Sequence, residues 1–174
     1  MNILAAFKPV KAFVLDVDGV LTDNTVLVLE NNELARKMSI RDGYALQLAV
    51  KKGYHICIIS GGSSDAVRVR LEKLGVMDVF MNKRDKKEVL LQFVQSLQLK
   101  WEEVLYMGDD IPDFEVMQMA GLACCPADAV PEIKQVSHYI SPYNGGEGCV
   151  RDVIEKTLKL NGHWNADTSV PSNL

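Results

Sequence analysis

Asp16 and Asp18 stand one residue apart where the apolar run Ala12 to Leu15 breaks toward Gly19. In extended backbone, residues i and i+2 point to the same side, so both carboxylates can reach one reacting centre. One could attack there while the other moves protons. Carboxylates at the end of a buried strand are costly unless a cation or hydrogen bonds compensate, so the pair also asks for a metal. A strand ending in an ordinary Asp-Gly turn would give the same local pattern, and the rest of the chain separates the two readings. Ser60 follows the apolar run Ile56 to Ile59, Lys86 comes after Val79 to Met81, and Asp109, Asp110 and Asp113 follow Val104 to Gly108. In open parallel sheets ligands bind beyond the carboxyl ends of the strands, and there these groups would converge.

The elements that must carry them can be read from periodicity. Val26 to Leu29 and Leu34 to Met38, either side of Glu30-Asn31-Asn32-Glu33, predict a β-hairpin. Arg41-Asp42-Gly43 leads into a helix reaching about Lys52. Ser63 or Ser64 can cap a helix whose stripe of Val67, Leu71 and Leu74 ends at Gly75. A helix from Lys86 carries Leu90, Phe93, Val94 and Leu97 at helical spacing. Asp113 to Ala120 reads as a short helix, Leu122 to Cys125 as a strand, and Val130 to Val136 as a helix opened by Asp128 and Pro131. A last helix over 146–160 turns Val150, Val153, Ile154 and Leu158 inward. Strands alternating with helices predict an α/β fold, a Rossmann-like three-layer sandwich around a central parallel sheet, with the hairpin projecting from it. Residues 1–160 form one domain on this reading. The polar stretch 161–174 is expected to be a disordered tail.

At 174 residues with 48% hydrophobic content, the chain suits one domain with a sizeable core. Its net charge of -4 argues against a nucleic-acid partner, and the basic cluster Lys83, Arg84, Lys86 and Lys87 reads as a solvated loop and helix start. No apolar stretch approaches the roughly 20 residues of a membrane span, and the first residues lack the basic start and long apolar run of a signal peptide. A cytoplasmic protein is expected. The four cysteines, Cys57, Cys124, Cys125 and Cys149, have no C-x-x-C spacing and read as buried reduced thiols. His55, His138 and His163 lack zinc-site spacing.

The ordered set Asp16 to Gly19, Ser60, Lys86 and Gly108 to Asp113 resembles the haloacid dehalogenase superfamily, whose pattern is D-x-D-G, a Ser or Thr, a Lys, and G-D-D-x-x-D. The resemblance spans residues 11 to about 155. Many of these enzymes insert a cap domain before the Ser motif or between the Ser and Lys motifs; here those intervals hold only short elements, so no cap is expected. Asp18 to Asp23, Ile40 to Gly43 and Gly145 to Arg151 resemble the capless branch, and within it the octulosonate 8-phosphate phosphatases of lipopolysaccharide sugar synthesis. That branch assembles as homotetramers in which neighbouring subunits cover the site.

The resemblance implies a Mg²⁺-dependent phosphatase acting on a sugar acid phosphate. The metal ligands would be the Asp16 carboxylate, the Asp18 backbone carbonyl and Asp109, with Asp110 and Asp113 behind them. Asp113 could equally serve only as a helix N-cap. Asp16 would form an aspartyl-phosphate, Asp18 would act as acid and then base, and Ser60 with the Gly61 backbone would hold phosphoryl oxygens against the charge of Lys86. Lys87 would fit a first-turn helix lysine as well as Lys86 does, and only the family pattern chooses between them. Asp18 favours a phosphatase over a pump or a dehalogenase. Arg41, Arg68 and a neighbour's Arg151 are candidates for the substrate carboxylate. Two departures bear on the substrate: Gly62 stands where many octulosonate phosphatases have Arg, and Cys149 where many have Ala. A nonulosonate 9-phosphate stays open as substrate, as does a noncatalytic oligomerisation module of the same branch.

Overall fold

The computed structural model describes residues 2–171. Helix α1 (Ile3–Phe7) precedes β1 (Ala12–Leu15), and a hairpin of β2 (Leu27–Val28) and β3 (Leu34–Ala35) follows. Next come α2 (Ile40–Lys51), β4 (His55–Ile59), α3 (Asp65–Lys73), β5 (Asp78–Phe80) and α4 (Lys86–Ser96). The chain continues through β6 (Val104–Met107), α5 (Phe114–Met119), β7 (Leu122–Cys125), α6 (Pro131–Val136), β8 (Tyr139–Ile140) and α7 (Cys149–Leu160). The six-stranded sheet runs in the order β5-β4-β1-β6-β7-β8, with every neighbouring pair parallel.

Every residue of β1, β6 and β7 is buried, as strands covered on both faces must be. Alternation then divides the core into two layers. Phe13 and Leu15 pack with Leu46 and Leu48 of α2, Leu71 of α3 and Val153 and Leu158 of α7. Val14, Cys57 and Tyr106 pack on the other face with Leu90 and Phe93 of α4, Met117 of α5 and Ile133 of α6. Each such aliphatic or aromatic side chain stabilises the fold by roughly 1.5–3 kcal/mol. The four cysteines are free and buried, with His55 at the start of β4. Among the described residues, no helix is long and apolar enough to cross a membrane.

At the element boundaries one open alternative is settled and two expectations differ. Ser64, and not Ser63, caps α3 through the Val67 amide, and Gly75 leaves that helix at φ 87°. Asp128 does not open α6, because its carboxylate accepts from the Gly145 amide at 2.9 Å. The last helix begins at Cys149 and not at 146, since the preceding loop packs against the chain after β1. The Gly146 amide donates to the Val20 carbonyl at 2.9 Å. A Cβ on Gly145 would lie 2.0 Å from the Gly19 carbonyl oxygen, so only glycine permits this approach. Helix α1 and strand β8 are too short to show a period.

The stretch from 161, expected as a disordered tail, packs over its described part against α2. Trp164 meets Tyr44 edge-on at 6.1 Å, Lys51 pairs with Asp167 at 2.7 Å, and Val170 is buried. One indole and one valine anchor a segment whose polar composition hides them. Residues 172–174 lie outside the described residues.

Helix α7 has no capping side chain of its own, because Gly148 occupies its N-cap. Asp42 of α2 takes that role from a distance, its Oδ1 accepting from the Arg151 amide at 2.8 Å. Burial raises the Asp42 carboxyl to about 6, against the lowering effect of the Arg151 and Gly148 amides. Asp42→Ala is therefore expected to destabilise the fold by about 1–2 kcal/mol, while Asp42→Asn, which keeps an acceptor without a buried charge, should cost much less. Urea unfolding of the two variants checks this; equal midpoints for wild type and Asp42→Ala would refute the capping role.

Candidate active site

Parallel register brings the polar residues level. Leu15 pairs with Ile58 on one side and Met107 on the other, so Asp16, Ser60 and Asp109 all leave the same edge of the sheet. Asp16 is almost fully buried at the end of β1. Beyond it the chain makes a tight helical turn closed by the Thr22 amide on the Val17 carbonyl at 3.1 Å. Gly19 in that turn adopts φ 88°, and a Cβ there would overlap the Asp109 carboxylate, 1.9 Å from its Oδ2. The Asp-x-Asp-Gly turn thus lies directly against the carboxylate that follows β6.

Lys86 opens α4 with its side chain inside the protein, whereas Lys87 is exposed. This selects between the two lysines. The Lys86 Nζ lies 3.1 Å from Asp16 Oδ1 and 2.7 Å from Asp113 Oδ1. Burial alone would lower the pKa of this ammonium, but Asp16 and Asp113 outweigh it and the value is raised. Asp113 also accepts from the Tyr106 hydroxyl at 2.7 Å and from the Asp109 amide at 3.3 Å. It makes no side-chain bond to the start of α5, so the helix-cap alternative fails for it. Asp110 is exposed and bonds the Ile111 amide at 2.8 Å.

Carboxylate oxygens of Asp16, Asp109 and Asp113 lie within 4.8 Å of one another, and all three residues are buried. Asp109 Oδ1 is buried with no hydrogen-bond partner. Burial first, and Asp113 next, raise the Asp16 carboxyl to about 7. Asp109 is raised to about 8 by burial, then by Asp16 and Asp113. Three acidic groups around a single ammonium, one oxygen unpaired, form a hard-oxygen set that fits a divalent cation such as Mg²⁺. Asp16 and Asp109 have the oxygens free for it, while Asp113 is committed to Lys86, Tyr106 and the Asp109 amide.

Ser60, also buried, accepts from the Gly62 amide through its hydroxyl oxygen at 3.1 Å, which bends the Ser60-Gly61-Gly62 loop over the site. Asp18 is held by a residue that the sequence reading missed. Arg36, next to β3, donates from Nε to Asp18 Oδ1 at 2.6 Å and from Nη2 to Oδ2 at 3.3 Å. Nothing local in the sequence points to it, since it lies 18 residues away beside the projecting hairpin. Tyr106 was also missed; a hydroxyl inside an otherwise apolar strand was the available signal.

The three candidate arginines, Arg41, Arg68 and Arg151, are not brought to these carboxylates within the chain. Arg68 donates to the Val79 carbonyl at 2.8 Å, tying α3 to β5. Arg41 and Arg151 line a separate cleft of about 370 Å³ with Tyr143 and Lys156. Arg151 pairs with Glu155 at 3.2 Å and stacks on Trp164 at 5.3 Å. Within the protomer, packing against neighbouring elements occupies Arg68 and Arg151, while the expectation for Arg151 concerns the site of a neighbouring subunit. Only a hairpin and α2 separate β1 from β4, and only α3 and β5 separate β4 from Lys86, so there is no cap domain.

Comparison with known proteins agrees with this geometry. A family model described as haloacid dehalogenase-like hydrolase matches residues 63–154. The 3-deoxy-D-manno-octulosonate 8-phosphate phosphatase of Escherichia coli K12 is 30% identical over 161 residues, covering 92% of this chain and 86% of the relative. The crystal structure of the Yersinia pestis enzyme of that name superposes with a TM-score of 0.90 at 28% identity, covering 92% of this chain and 87% of that one. The Moraxella catarrhalis enzyme, solved with a magnesium ion, a phosphate ion and a KDO molecule, gives a TM-score of 0.88 at 31% identity, with 91% of each chain covered. The chain belongs to the haloacid dehalogenase-like hydrolases.

Proposed function

We propose that this chain is a Mg²⁺-dependent phosphomonoesterase that releases phosphate from a sugar acid phosphate, foremost 3-deoxy-D-manno-octulosonate 8-phosphate. The observation that carries the reading is the buried Asp16–Lys86–Asp113 network beside the unpaired Asp109 oxygen. The named activity of the relatives and the KDO-bound Moraxella structure support the substrate.

In this reading an Asp16 carboxylate oxygen attacks phosphorus while the bond to the sugar oxygen breaks, and Asp18 gives that oxygen its proton. Water then attacks phosphorus, Asp18 takes the proton back, and the bond to Asp16 breaks, leaving inorganic phosphate. Lys86 holds Asp16 in line and offsets negative charge as the phosphoryl group transfers. The Ser60 hydroxyl and the Gly61 amide hold phosphoryl oxygens. A divalent ion held by Asp16, the Asp18 carbonyl and Asp109, with Asp110 and Asp113 behind them, would screen the repulsion between a carboxylate nucleophile and an anionic substrate.

Phosphate release with Mg²⁺ across a panel of sugar phosphates tests the assignment. The octulosonate ester is expected to exceed a nonulosonate 9-phosphate and neutral hexose phosphates in kcat/KM by about tenfold or more, in line with recognition of a charged group by paired charge. A nonulosonate preference would move the substrate without touching the chemistry. No release from any member would favour the noncatalytic module.

The same reading includes a homotetramer acting in the cytoplasm. Leu27 and Val28 at the hairpin are 64% and 70% exposed, beside exposed Val26 and Leu34, an apolar edge suited to copies of itself. Four buried free thiols suit a reducing compartment. Mass measurement in solution, with and without charge substitutions at Leu27 and Val28, tests the assembly.

A further inference from the structure

The hairpin contributes more than an exposed edge, because one of its residues is turned inward onto Asp18. The Arg36 side chain is only 6% exposed, although Leu34, Ala35 and Lys37 around it are exposed. Two of its nitrogens meet the two oxygens of Asp18, and Nη1 donates to the Leu34 carbonyl at 3.3 Å. The third bond is internal to the hairpin, so the strand itself aims the fork. A Cβ on Gly62 would lie 2.9 Å from Asp18 Oδ2 and 3.3 Å from Arg36 Nη2. The loop after β4 therefore closes over the ion pair, and any side chain at 62 would push into it. Three segments distant in sequence meet at one carboxylate.

From this juxtaposition we infer that Arg36 is the positioning residue of Asp18, fixing the plane of its carboxylate against the reaction centre. The inference rests on the phosphatase reading above. An exposed ion pair contributes little and orients little. This one is bidentate on a planar fork that is itself held, and such a fork sets direction as well as distance. Asp18 is 37% exposed, and among the described residues no other side chain hydrogen-bonds its carboxylate to choose one rotamer over another. Misplacing a catalytic group by about 1 Å costs on the order of 10²-fold.

The test compares Arg36→Ala, Arg36→Lys and Asp18→Asn on octulosonate 8-phosphate and on p-nitrophenyl phosphate. The nitrophenolate leaving group needs no proton, so only the hydrolysis of the phospho-enzyme then depends on Asp18. Arg36→Ala is expected to lower kcat on the sugar ester by about 10–100-fold with KM within about twofold and an unchanged melting temperature. On the aryl ester it should give a burst near one nitrophenolate per site followed by slow turnover. Arg36→Lys, a single point charge, should recover part of kcat. Wild-type kcat in Arg36→Ala, a loss confined to KM, or a burst amplitude reduced in parallel with the steady rate would each overturn the inference. Asp18→Asn with undiminished turnover would instead sink the acid-base reading beneath it, so the two failures are distinguishable.

Discussion

Asp16→Asn is expected to remove turnover by at least about 10³-fold, the scale on which nucleophile deletions act, while leaving the protein folded. The amide keeps the shape of the carboxylate but cannot attack phosphorus. Its effect on stability should run the other way. Burial and Asp113 together hold the Asp16 carboxyl near 7 in the metal-free protein, so a neutral side chain relieves an unfavourable charge. Lys86 keeps Asp113 as its partner at 2.7 Å. At pH 8 without metal, the melting temperature of Asp16→Asn should equal or exceed that of the wild type. Near-normal turnover in the variant would end the covalent mechanism, and a collapse of the fold would mean that the Asp16–Lys86 pair holds the structure together.

Removal of divalent metal should have an effect of the same order: a chelated enzyme is inactive, and Mg²⁺ restores it. The linked pH dependence follows from two raised carboxyls, Asp16 at about 7 and Asp109 at about 8. The unfolded value is near 3.8, so the folded, metal-free state favours their protonated forms. That contribution to stability is complete below about pH 4 and is lost as pH rises through 7 and 8. A cation bound to the ionised pair offsets the loss and must displace protons to bind at lower pH. Mg²⁺ at about one hundred times its Kd stabilises by about 2.7 kcal/mol, which for a chain of this size is a rise of roughly 5–10 °C. The rise should be larger at pH 8 than at pH 6. A pH-independent shift, or full activity after chelation, would contradict the carboxylate site.

The candidate site was legible because Asp16, Ser60 and Asp109 each come just after an unbroken apolar run. Leu15, Ile58 and Met107 are register partners, so residues just after them had to emerge together. Helical position alone could not tell Lys86 from Lys87; the family pattern picked Lys86, and it is the one that turns inward from the first turn of α4. Arg36 was hidden for a different reason: its partner is set by the fold of a hairpin against a distant loop, and no periodicity records that. The same holds for Asp42, whose capped helix lies 109 residues on. Trp164 and Val170 show the limit of composition, since two apolar anchors can dock a segment that averages as polar. Helical spacing, by contrast, correctly placed the stripes of α3, α4 and α7 in the core.

The loop joining Gly145 to Cys149 clasps the turn after β1, with the Gly146 amide and the Cys149 thiol both donating to the Val20 carbonyl. A ribosome releases Asp16 and Asp18 long before it releases the residues that clasp them. Closing a loop of that length is among the slower contacts a chain makes. The sheet strands around β1 can pair earlier, so the centre of the nascent protein becomes ordered while its reactive turn still lacks its outer support. Maturation of the reaction centre is then one of the last events in folding. Pulsed hydrogen exchange during refolding should find the amides of β1 and β4 protected before those of Gly19 and Thr22, and simultaneous protection would contradict that order.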